Sequence, residues 1–163
     1  MVAPQVGGRS RRAGPTGWAV AALAVAVPVA IWWMIGDLSF RPNDPDSLDY
    51  MWRQPTIDPA FANAAGWLAV LVVVASLFTL VWAARGRVLD SRWWLVVVLV
   101  TMAGIGLAVI ERMVTAGVVG ANIGGGLALF VGVPMVALAL IAALTVSIWM
   151  WTSPRTELPP RPR

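Results

Sequence analysis

The run GWAVAALAVAVPVAIWWMIG, residues 17–36, is twenty residues long and carries no charge. At about 1.5 Å of rise per helical residue it is long enough to cross a hydrocarbon core of about 30 Å. It predicts a transmembrane helix, and three later stretches repeat the pattern. Residues 64–84 are uncharged between Trp67 and Trp82, residues 93–110 open on the Trp93-Trp94 pair, and residues 127–151 end on Trp149 and Trp151. Tryptophan at span ends is the expected interfacial placement. The fold class implied is an all-α membrane protein, a four-transmembrane-helix bundle whose main partner is the lipid bilayer. Pro28 within the first span and Pro134 within the fourth each remove a backbone donor and predict a local distortion.

Composition agrees with that reading. The chain is 59% hydrophobic and only 12% charged, far from the balance of a water-soluble domain. All basic residues are arginine, twelve in number, and they sit in short tails and turns between apolar runs. A nucleic-acid partner is excluded on that ground, because such a footprint needs clustered basic charge on one face. Cysteine and histidine are absent, so disulfides, thiol chemistry, the usual zinc ligands and the commonest general base are all missing. The sequence therefore assigns no cofactor, no metal and no catalytic residue, and the chain reads as not an enzyme.

The connecting segments fix the expected topology. Residues 1–16 form a basic tail, residues 85–92 a short arginine-rich turn, and residues 152–163 a proline- and arginine-rich tail expected to be disordered. The triplet Ser10-Arg11-Arg12 is followed by Gly14-Pro15 rather than by an apolar run, which argues against an export signal. Residues 37–63 form an acidic loop with Asp37, Asp44, Asp46, Asp49 and Asp58 among four prolines. Its aspartate spacing lacks the glycine and the glutamate that an EF-hand needs, so no calcium site is assigned. Arg9, Arg11, Arg12, Arg85, Arg87, Arg92, Arg155, Arg161 and Arg163 would share one side, leaving Arg41, Arg53 and Arg112 on the other. The positive-inside rule then expects a multi-pass protein of the cell membrane with both termini cytoplasmic and the acidic loop extracytoplasmic.

The least generic stretch is ERMVTAGVVGANIGGG, residues 111–126. Glu111 and Arg112 end the third span as adjacent residues on different helix azimuths, and the expectation is that both reach outward to the interface. On that basis, replacing either by Gln should leave insertion and folding intact. Residues 114–126 are uncharged and glycine-rich, which predicts a re-entrant or interfacial segment on the extracytoplasmic side. The Gly120-to-Gly124 spacing would allow close packing on a neighbour. Glu111, Arg112, Thr115, Asn122, Gly120 and Gly124 are the candidate functional residues. A phosphate loop is not supported, since no lysine follows the glycines.

The run from Arg112 to Gly124, with Asp49-Tyr50, Arg53 and Pro55, resembles small, uncharacterised four-span integral membrane proteins of high-GC actinobacteria. That resemblance covers roughly residues 17–151 and implies the topology; it brings no activity with it. The preferred expectation for function is a non-enzymatic accessory or interaction protein of the cell envelope, partnered by another membrane or envelope protein or by self-association. The alternative is an oligomeric channel or transporter component with Glu111 and Arg112 near the outer mouth.

Overall fold

The computed structural model describes residues 14–39, 49–86, 92–118 and 121–152. They form four helices long and apolar enough to cross a membrane, and no strand occurs among them. The first, α1 (Pro15–Ile35), starts with proline at its first position and stops at Gly36, whose φ of 72° suits a residue without a Cβ. The second, α2 (Pro59–Arg85), begins several residues before the charge-free run at 64–84. Its start is set by Asp58, whose carboxylate accepts from the amides of Ala60 at 2.7 Å and Phe61 at 3.3 Å, with Pro59 following.

The third helix, α3 (Trp93–Thr115), continues past Ile110 through Glu111 and Arg112. The glycine-rich segment therefore divides. Its first five residues complete α3, residues 116–118 make the turn, and helix resumes at Ala121. From there α4 (Ala121–Leu127), a π-helical turn (Ala128–Gly132) and α5 (Val133–Thr152) follow without a break. Helical hydrogen bonding prevails over the poor helix propensity of Gly124, Gly125 and Gly126 because backbone donors in a bilayer have no water to bond. The widened turn lies immediately before Pro134, which cannot donate to the Phe130 carbonyl and crowds it, a recognised cause of local rewinding.

The helices stand in a row rather than closing on themselves. The first helix, α1, packs on α2 along one side and on α3 along the other; α3 packs on α5; among the described residues the α2 backbone stays more than 8 Å, Cα to Cα, from α3 and α5. Leu23 and Val27 of α1, Leu80 of α2 and Val97 of α3 form the shared core, with Ala26, Ala30 and Ala69 closing the α1–α2 seam. Small residues permit these approaches. Gly66 faces the Trp33 ring, and a Cβ on Gly104 would stand 3.0–3.2 Å from Val27 and Pro28. Pro28 thus serves as a packing surface for α3. Most remaining side chains face outward, as for Phe130 at 83% exposure, which suits a molecule whose solvent is hydrocarbon.

Candidate functional site

The C-terminal ends of α1 and α3 meet the N-terminal end of α2 on the side of the molecule that carries residues 49–58. A helix end leaves four carbonyls without helical partners. Near the end of α1 the Trp32 carbonyl accepts a long bond from Gly36 N–H at 3.4 Å and two shorter ones from a side chain eighty residues away. Arg112 donates to the Trp32 carbonyl from Nε at 2.9 Å and from Nη2 at 2.7 Å. Its guanidinium also lies 4.1 Å from the centre of the Trp32 ring, and Nη1 reaches Gln54 Oε1 at 3.5 Å. A cation at the negative end of a helix, forked on a carbonyl and stacked on an indole, uses the planar geometry that distinguishes arginine from lysine.

Arg112 therefore does not reach out to the interface. It is 6% exposed, and its two strongest bonds are spent holding α3 against the end of α1. Asp37, just beyond α1, adds a favourable charge interaction. Glu111 behaves differently. Its side chain is 40% exposed and its Oε2 stands 3.9 Å from Arg112 Nε, too far for a hydrogen bond. That oxygen is buried and has no hydrogen-bond partner among the described residues, while the Trp32 side chain interacts with the carboxyl group.

The glycines have a different task from the one their spacing suggests. The chain at 49–52 runs against the end of α3: Trp52 N–H donates to the Val114 carbonyl and Val118 N–H to the Asp49 carbonyl, both at 3.2 Å. Gly117 N–H donates to Ser39 Oγ at 3.0 Å. This exchange brings Tyr50 onto Gly117, where an added Cβ would stand 2.5 Å from the ring, and Met51 onto Gly125. Gly124 has open space around it, Asn122 is exposed, Thr115 bonds back to the Glu111 carbonyl at 2.8 Å, and Gly120 lies outside the described residues. Of the five candidates among the described residues, Glu111 and Arg112 converge. Trp32, Gln54, Tyr50 and Gly117 belong to the same assembly; the signal for them was the aromatic pair ending a span and a lone glycine after a helix.

One comparison separates the two kinds of glycine. Gly117→Ala forces the Tyr50 ring to move and is expected to cost about 1–3 kcal/mol, as overpacking does. Gly124→Ala meets nothing and gains helix propensity of up to about 1 kcal/mol. Thermal unfolding of the two variants in detergent should shift in opposite directions. A common shift would remove the distinction.

Among the described residues the assembly holds no nucleophile paired with a base, and no three acidic side chains gather to hold a metal ion. Asp44 and Asp46 lie outside the described residues, so the acidic spacing around Asp49 is described only at Asp49. What the arrangement can do is physical: it fastens the acidic loop, α1 and the α3–α4 turn into one surface. No protein-family model, no curated protein and no solved structure matches this chain.

Proposed function

We propose that this multi-pass membrane protein is a non-enzymatic accessory or interaction protein of the cell envelope. It lies in the cell membrane with both termini cytoplasmic, and it offers the surface around the 49–58 loop and α4 to another envelope protein. The observation that carries the reading is the Arg112 lock. A guanidinium bound to the Trp32 carbonyl and stacked on its ring makes a rigid loop platform and is itself not at liberty to guide ions. Asn122 and Ile123, the latter 81% exposed, stand beside that platform and meet no neighbour among the described residues that would explain an exposed amide and a large apolar side chain together. The spans are uncharged through their middles, whereas permeation paths place polar groups there.

A photo-crosslinking residue at Asn122 or Ile123, activated in the native membrane, tests the proposal. The expected result is an adduct of one fixed mass with a different polypeptide, absent when the probe sits at Leu144 on α5. Adducts formed only between copies of this chain, together with solute flux through the purified protein in liposomes, would replace the accessory reading with the channel or transporter one.

A further inference from the structure

Because the backbones of α2 and α3 stay more than 8 Å apart, Cα to Cα, among the described residues, α1 forms the floor of a cleft of about 600 Å³ between them. Pro28 and Trp32 contribute to the floor, Phe61 and Ala65 to one wall, Leu107 and Glu111 to the other. Among the described residues Glu111 is the one ionisable group in a lining that is otherwise aliphatic or aromatic. The volume falls within the range of small-molecule sites.

The carboxylate is placed in an unusual position for a membrane helix. The side chain is 40% exposed and lines the cleft, so an occupant meets the exposed part of the carboxylate, while Oε2 is buried beside Arg112, whose guanidinium is held 3.9 Å off by its bonds to the Trp32 carbonyl. Arg112 cannot come closer to that oxygen without giving up the carbonyl it caps. Arg112 at 3.9 Å supplies this carboxylate with charge but with no hydrogen bond, and a carboxylate in apolar surroundings is costly to leave short of donors. The cleft also lies at the ends of three helices, the level at which head groups meet acyl chains. An occupant complementary to this site has an apolar chain for the walls and a small cation with N–H donors for Glu111.

We propose that the cleft binds one phospholipid with a primary ammonium head group, its acyl chain against Phe61, Ala65 and Leu107 and its ammonium donating to the Glu111 carboxylate. A primary ammonium carries three N–H donors, as lysine does. A choline head group carries the same charge with none, and a glycerol head group carries no cation. The site should therefore distinguish lipids that have identical tails.

Native mass spectrometry of the full chain in mild detergent, titrated with dioleoyl phosphatidylethanolamine, phosphatidylcholine or phosphatidylglycerol, reads this directly. One ethanolamine lipid per chain is expected to bind at least tenfold more tightly than either of the others. Glu111→Gln should reduce the ethanolamine lipid to the choline level. Ala65→Phe, which fills the cleft from α2, should weaken all three together while elution volume stays that of the parent protein. Equal binding of ethanolamine and choline lipids by the parent chain would overturn the proposal. So would an ethanolamine preference that survives Glu111→Gln, or a preference for the glycerol lipid.

Discussion

Arg112→Ala should be the most damaging single substitution in the described part of the chain. It removes two short bonds to the Trp32 carbonyl, the stack on the Trp32 ring and the counter-charge beside Glu111. Breaking a buried charged cluster from one side typically costs about 3–5 kcal/mol, because the partners stay behind unpaired. For a chain of this size that corresponds to a fall in Tm of roughly 6–20 °C, measured in detergent. Arg112→Gln, expected from the sequence alone to be tolerated, now belongs with it, since a neutral amide cannot fork on the carbonyl or stack as a cation. Arg112→Lys should recover only part of the loss, its ammonium having no planar fork. Arg53→Ala supplies the control: that arginine is exposed, and losing its stack 5.3 Å from the Tyr50 ring should cost no more than about 1 kcal/mol. Equal Tm values for Arg112→Ala and Arg53→Ala would show that the lock contributes nothing.

Gly66→Leu should come second. Gly66 is buried in the α1–α2 seam directly beneath the Trp33 ring, which is held there by its bond to Asn63 at 3.1 Å and by Trp67 at a ring separation of 5.1 Å. The ring cannot move aside without breaking both contacts, so the helices must separate. Overpacking of this kind costs about 1–3 kcal/mol and more where no side chain can yield. Tm should fall by roughly 6–12 °C if the cost reaches about 3 kcal/mol. The double variant Gly66→Leu with Trp33→Ala identifies the cause, because removing the ring makes room for the leucine. It should be more stable than the sum of the single effects predicts. Strict additivity would place the damage elsewhere.

The apolar part of the fold was legible because a bilayer imposes a simple requirement. About twenty uncharged residues must span it, and each of the four runs that meet this condition matches a membrane-length helical stretch, with Gly36 just past the end of the first. The boundary at 64 came from the acidic, proline-punctuated character of residues 37–63 and that at 110 from the charge at Glu111, and both gave way to local chemistry. Asp58-Pro59 is a capping sequence that could have been read as such; it starts α2 early. Glu111-Arg112 could not have been placed from the sequence, because the reason α3 continues through it is a carbonyl at the end of α1. Likewise the glycines at 117 and 125 are explained by Tyr50 and Met51, which approach from a distant loop. Spacing within the segment pointed to Gly120 and Gly124 instead. Periodicity and charge report what a residue's surroundings must be like on average. Which partner fills a gap is a matter of three-dimensional approach, and that is where the sequence reading of the site stopped.

The row of helices also sets an order of assembly. The earliest of the four to be synthesised, α1, is the one on which both α2 and α3 rest, and α3 in turn receives α5. Each newly inserted helix thus finds its docking surface already in the membrane, and none has to wait for a later one. The Arg112–Trp32 contact closes when the third helix arrives, trapping the loop between them before the last helix is made. A chain that folds in the order of its synthesis can be followed by truncation: a chain ending in the turn after α2 should already hold the Leu23–Leu80 contact.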